Sequence, residues 1–208
     1  MTTVQKISLP NALLADKWTE QIMVVKNSNL FGTERWQNIK TADLELYITA
    51  IIKHTEFMPR GLAETNFEYK QIIPYVIFTH DNKYFLMQRK GTASESRLAS
   101  NYSLGIGGHL RQDDIKSDSV FEWAQREFNE EITYADASSY TFLGILNDDS
   151  NEVGSVHLGV IILLKGASDK IAVRSELKSG QLLTLEECKT YYPQMESWTQ
   201  KVFDMLSQ

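Results

Sequence analysis

The chain has 208 residues and a formal net charge of −6, with ordinary apolar and charged fractions for a globular protein. That length can bury a good core, as one domain with an extension or as two small domains, and the acidic balance argues against a general electrostatic grip on nucleic acid. One cysteine, Cys188, excludes an internal disulfide framework, and no Cys/His spacing suggests zinc.

In chain order, Gln21 to Val25 reads as a short strand and Asn27 to Thr33 as a loop. From Thr41 to Phe57, Leu44, Tyr47, Ile48, Ile51 and Ile52 recur at helical spacing, which predicts a core-facing amphipathic helix. Arg60 to Glu64 is a polar connector. From Gln71 the character changes. Gln71 to Thr79 is a β-branched and aromatic run, His80-Asp81-Asn82-Lys83 a turn, and Tyr84 to Arg89 a second strand, together a hairpin. Pro74 predicts an edge or a bulge in the first strand. Ser119 followed by Glu122 is a capping-box pattern that opens a helix with Val120, Trp123, Ala124 and Phe128 on its apolar face. Tyr140 to Leu146 and Val156 to Lys165 are further strands. Thr184 and Glu187 cap another helix, which Pro193 interrupts. Trp198, Val202, Phe203 and Leu206 make the last helix amphipathic. Patterning alone supports a mixed α and β fold.

The chemistry concentrates in Arg126-Glu127-Phe128-Asn129-Glu130-Glu131. In a helix, Glu127, Glu130 and Glu131 share one stripe. Three like charges repel, and a hard cation such as magnesium or manganese relieves that repulsion. A solvated charged face is the plain alternative. Upstream, Leu104-Gly105-Ile106-Gly107-Gly108-His109-Leu110 places three glycines in four positions, which marks positive φ angles or the close approach of a ligand.

A glycine turn leading to a helix with this pattern resembles the Nudix box. Gly108 fits the opening glycine, Arg126-Glu127-Phe128 the central triplet, Glu130-Glu131 the paired acids and Tyr134 the last apolar position. The sequence departs from the family pattern in three ways. The loop after Gly108 is four residues longer, Asp118 replaces the first glutamate, and Thr133 stands where a closing glycine is usual. Lys70-Gln71-Ile72-Ile73-Pro74-Tyr75 and Val156-His157-Leu158-Gly159 are similar to a little-characterised branch of predicted phosphoesterases.

The resemblance covers roughly residues 70–208. It implies an α/β (α+β) fold, a mixed sheet sandwiched between helices, with residues 1–69 as an N-terminal α/β extension packed on the catalytic domain. It implies Mg2+ or Mn2+ as cofactor. Glu130 and Glu131 are then metal ligands and the Gly108 carbonyl is a further one. Glu127 binds metal or orients the attacking water. Arg126 pairs with a box carboxylate. Many family members add an acid from a later loop; Glu176 is the choice here and Glu152 the competitor. His109, Arg89 and Arg111 are the candidates for substrate phosphate, with Arg97 as another flanking arginine. His157, at a strand start, reads as structural, and Arg60 and Glu64 are left outside the site. Trp36 and Tyr102 are aromatic candidates for stacking on a base, against the commoner role of core residues.

The favoured function is hydrolysis of a diphosphate linkage in a small-molecule nucleoside diphosphate joined to a group X. A non-catalytic nucleotide-sensing module and an isopentenyl-diphosphate-isomerase-like enzyme are the alternatives. The sequence predicts no stable nucleic-acid partner and no membrane span, because Leu158 to Leu164 is the longest apolar stretch. With no signal pattern at the N-terminus, the expected location is the cytoplasm. Residues 1–69 are expected to serve substrate selection or a homodimer contact.

Overall fold

The computed structural model describes residues 17–33, 35–89, 101–174 and 177–208. The first elements are β1 (Gln21–Lys26), the short helix α1 (Asn27–Leu30), β2 (Asn38–Lys40), α2 (Leu44–Lys53), β3 (Thr55–Pro59) and one helical turn, α3 (Arg60–Ala63). The long β4 (Tyr69–His80) then turns into β5 (Lys83–Arg89). Asp81 and Asn82 make that turn with φ of 46° and 58°, the backbone of a two-residue hairpin that matches strand twist. Next come β6 (Tyr102–Ser103), β7 (Gly105–Ile106), a 3-10 turn at Gln112–Asp114 and α4 (Val120–Glu131). The rest is β8 (Ile132–Thr133), β9 (Ser138–Asn147), α5 (Glu152–Val156), β10 (His157–Gly166), β11 (Ala172–Val173), β12 (Leu177–Leu183), α6 (Leu185–Cys188), a 3-10 stretch at Lys189–Gln194, and α7 (Ser197–Leu206).

The main sheet runs β12-β5-β4-β10-β9-β2, with β1, β3, β6 and β7 joined off that path. β4 and β10 are parallel over their length, whereas β9 returns antiparallel to β10. The described strands before residue 70 belong to the same sheet. β1 pairs with Tyr69 to Gln71 of β4, β3 pairs with β1, and β2 pairs with the end of β9.

β4 is buried on both faces, which explains its nearly unbroken apolar run. Ile72, Val76 and Phe78 point into the core beneath α4, with Trp123, Ala124 and Phe128. Tyr75 and Ile77 point the other way, toward Cys188, Val202 and Phe203. Helices thus cover both faces of a mixed sheet, and the box helix lies on one of them.

Three local expectations are corrected. The predicted helix over Thr41–Phe57 stops at Lys53, because Thr55–Pro59 pairs with β1 and that ladder overrides the helical periodicity. The loop predicted after Lys26 contains α1. Pro74 sits in a central strand, paired with Val160, rather than at an edge or bulge. Its tolerance has a local cause. On the flank of β4 away from β10, β1 reaches only to Gln71 and β7 begins at Val76, so Pro74 falls in a gap in the ladder. The missing N–H there costs no strand bond.

Candidate active site

Helix α4 begins where Ser119 Oγ accepts a hydrogen bond from the Glu122 N–H. The Glu122 carboxylate does not complete the box. It takes a hydrogen bond from the Ser117 hydroxyl at 2.6 Å. The helix ends at Glu131 because Ile132 and Thr133 turn extended and pair with β11. An extended backbone needs no glycine, which accounts for Thr133 at that position.

The glycines upstream are held by crowding from the protein itself. Among the described glycines only Gly32 has a positive φ. A β-carbon on Gly105 would overlap the Tyr75 ring, one on Gly107 the Pro74 carbonyl oxygen, and one on Gly108 the Glu127 carboxylate. The positive-φ alternative for this turn is therefore set aside. Gly108 and Glu127, 19 positions apart, meet side chain against backbone.

The three glutamates differ in setting. Glu127 is 5% exposed, Glu130 is exposed and Glu131 is half-buried. The stripe thus runs from the interior to the rim. Arg126 Nη2 contacts the Glu127 carboxylate, and Nη1 binds Glu130 Oε1 at 2.5 Å and Asp114 Oδ2 at 3.1 Å. The Arg126 Nη2–H also reaches the His109 carbonyl, at 3.4 Å. Glu127 Oε1 is the oxygen that meets the Arg126 guanidinium, and Oε2 lies against the backbone of Gly108. A buried carboxylate oxygen beside a bare glycine backbone is a hard ligand of the kind that suits magnesium or manganese.

Arg111 faces carboxylates. It binds Asp114 at 2.5 Å and Glu130 at 2.9 Å. The hydrogen bond to Asp114 raises its pKa, with Glu130 adding to the effect. Asp114 lies in the 3-10 turn of the lengthened loop and ties both arginines to the box. Sequence pattern gave no signal for it. Thr19, Glu20 and Gln21 line a cleft of about 460 Å³ with Arg111, Gln112, Asp113 and Asp114, so the N-terminal segment borders the box loop.

His109 turns away from the glutamates. Its Nε2 is 2.7 Å from Gln71 Oε1, 3.1 Å from His157 Nε2 and 3.9 Å from Glu64 Oε1. Burial holds the His109 pKa well below its ordinary value, with Arg60 and His157 adding to the effect. Burial also lowers that of His157. Arg89 ends β5, and its side chain lies outside the described residues. Glu176 and Arg97 lie outside them as well. Glu152 is exposed in the first turn of α5. Trp36 packs edge-on against Phe31 and Tyr47, and Tyr102 packs against Tyr191, so both rings serve internal contacts.

A second buried charge cluster braces the N-terminal segment. Lys70 is fully buried, with Nζ 2.8 Å from Asp149 Oδ1 and 2.7 Å from the Gly154 carbonyl. Desolvation lowers its pKa to about 8. Arg35 and Gln37 bind the same Asp149, both at 2.6 Å.

No family model matches the chain. Its sequence is 31% identical to Protein YmaB of Bacillus subtilis over 209 residues, 91% of this chain and 98% of that protein. Its fold is similar to that of Tm1382, provisionally assigned as a Nudix hydrolase, with a TM-score of 0.74 and 27% identity over 90% and 98% of the two chains. The Nudix domain of Shewanella oneidensis NrtR, solved with ADP-ribose, matches at a TM-score of 0.53 and 10% identity, over 66% of this chain and 86% of that one. The fold and the box-bearing helix define the class of protein. The chain belongs to the Nudix hydrolases, in the same family as Protein YmaB. No helix among the described residues is long and apolar enough to cross a membrane.

Proposed function

We propose that the chain is a divalent-metal-dependent hydrolase that cleaves the diphosphate linkage of a nucleoside diphosphate joined to a group X. The observation that carries this reading is the Glu127 carboxylate, buried against the backbone of Gly108, one turn before Glu130 and Glu131 on the same helix. Glu127, Glu130, Glu131 and the Gly108 carbonyl would hold Mg2+ or Mn2+. Such an ion neutralises phosphate charge and lowers the pKa of a bound water.

The chain's own residues arrange the rest. Arg126 gathers Asp114, Glu127 and Glu130, offsetting repulsion among carboxylates held together. Glu127, desolvated beneath the glycine turn, keeps a fixed position for a ligand or for orienting water. Glu176 is proposed to complete the site. What supports this choice is that Arg174, two residues earlier, donates its N–H to the Glu131 carbonyl at 2.7 Å, at the end of α4. Glu152 opens α5 on the connection tied to Lys70 and Asp149.

His109 is neutral and faces Gln71, so the phosphate role assigned to it from sequence has little support. Arg111 is engaged by carboxylates and reaches phosphate only by exchanging them. The isomerase alternative needs a reactive cysteine. Cys188 is fully buried under α7, and burial pushes its thiol up to about 11.

The test is a panel of nucleoside diphosphate derivatives with magnesium, followed for release of phosphate or mononucleotide. ADP-ribose belongs in it, since the NrtR domain was solved with that compound. Turnover of at least one member that chelator abolishes is the expected result. Binding of the same compounds with no cleavage would favour the sensing module.

A further inference from the structure

A second cluster of metal-ligating groups lies on the far side of the glycine turn, away from the box glutamates. Glu64 comes from the end of the N-terminal segment, His109 from the turn and His157 from the first residue of β10. One donor atom from each lies within 4.8 Å of the others. No sequence spacing announces the set, because its members are far apart in the chain.

The hydrogen bonds fix one lone pair. His157 Nδ1 is 2.6 Å from the Val153 carbonyl, which can only accept, so Nδ1 carries the proton. In the neutral ring Nε2 is then bare, and it points at His109 Nε2, 3.1 Å away. Gln71, 1% exposed, touches His109 through Oε1, while its own amide nitrogen has no partner. With the His109 proton on Nδ1, its Nε2 is bare as well, and the two Nε2 atoms lie with a Glu64 carboxylate oxygen within 4.8 Å of one another. Two ligands held about 2.0–2.1 Å from a tetrahedral zinc lie about 3.3 Å apart, a spacing between the 3.1 and 3.9 Å separations of this cluster.

We propose that Glu64, His109 and His157 form a binding site for an imidazole-favouring divalent cation such as zinc, distinct from the magnesium site of the box glutamates. Two imidazoles and a carboxylate with an open fourth position form the ligand set of catalytic rather than closed structural zinc centres. The Val153 carbonyl fixes the His157 tautomer, as outer partners of metal-bound histidines do. Arg60 opposes the cation. It lies 3.4 Å from Glu64 and must release that carboxylate when the ion binds. The site does not depend on the hydrolase reading, so either can fail alone.

The experiment titrates the full-length, chelator-stripped protein with zinc, and in parallel with cobalt for its visible spectrum, in excess magnesium. The expected result is one equivalent of zinc bound per chain. Affinity should fall about ten-fold or more in Glu64→Gln and in His157→Asn, stay unchanged in Glu131→Gln, and rise in Arg60→Ala. Glu64 is partly exposed, so Glu64→Gln remains informative if His157→Asn fails to fold. Absence of stoichiometric binding overturns the proposal. Binding that survives both Glu64→Gln and His157→Asn, or that Glu131→Gln alone abolishes, also overturns it.

Discussion

The Glu127 carboxylate rests on the bare Cα of Gly108, in space that any side chain at that position would fill. Gly107, its neighbour, is crowded in the same way by a backbone atom, the Pro74 carbonyl oxygen. The two contacts separate catalysis from stability. Gly108→Ala should push the Glu127 carboxylate out of its position, lowering turnover on the order of 100-fold with little change in melting temperature. Gly107→Ala should press on β4 itself and cost about 1–3 kcal/mol of stability. Parallel measurements of kcat and chemical denaturation check the pair. Equal effects of the two variants on both quantities would contradict this division.

The Lys70–Asp149 pair predicts a stability effect far from the glutamates. Asp149→Ala leaves a fully buried ammonium with only the Gly154 carbonyl, and releases Arg35 and Gln37. The expected cost is about 3 kcal/mol, typical for removing one partner of a buried pair. Urea denaturation measures it. A loss below the effect of an ordinary surface substitution would show that Lys70 is not held by Asp149.

Acid should weaken the fold through the two imidazoles. Burial lowers both His109 and His157 in the folded protein. Below the ordinary value of 6.5, the unfolded chain therefore binds protons that the folded chain refuses. Their contribution is neutral above about pH 6.5 and becomes a growing penalty as pH falls below it. Denaturation midpoints of chelator-treated protein at pH 7.5 and 5.5 measure this. His157→Asn, whose amide can still donate to Val153, should flatten the acid slope. An unchanged slope would remove His157 from the account.

Glu176→Gln should lower turnover by at least about ten-fold, as expected for loss of a positioned catalytic carboxylate, whereas Glu152→Gln should leave it nearly unchanged. Rates of the two variants under saturating magnesium decide between the loops. A large loss in Glu152→Gln alone would place the distal acid on the β9–β10 connection.

We also propose that residues 1–69 are an extension bound to the catalytic domain rather than a separable module. β1 buries Ile22, Met23, Val24 and Val25 and bonds to β4, while Glu64 reaches His109. A protein beginning near Glu68 should lose cooperative unfolding. Its folding unchanged, with the same substrate preference, would show that the segment is independent.

The sheet-and-helix order and the box helix were legible because periodicity and capping are local. Val120, Trp123, Ala124 and Phe128 form the buried stripe that their spacing foretold. What stayed hidden depends on tertiary partners. The end of α2 is set by β1, a strand twenty residues upstream or more, and Pro74 is tolerated by a gap between two ladders. Asp114 carried no sequence signal, and Glu64 was left outside the site. Only the fold brings the first to Arg126 and the second to His109. Glu127 also changed character, from one of three equivalent stripe residues to the buried member of the set.

The most direct measurement is the hydrolysis rate of a cleaved nucleoside diphosphate derivative as free magnesium is varied, for the natural sequence and for Glu131→Gln. The expected result is a rate that vanishes without the cation. Glu131→Gln should stay folded and lose orders of magnitude in turnover at every magnesium concentration, in line with removal of a charge that stabilises the transition state through the ion. Full activity in excess chelator, or an unimpaired Glu131→Gln enzyme, would contradict the account.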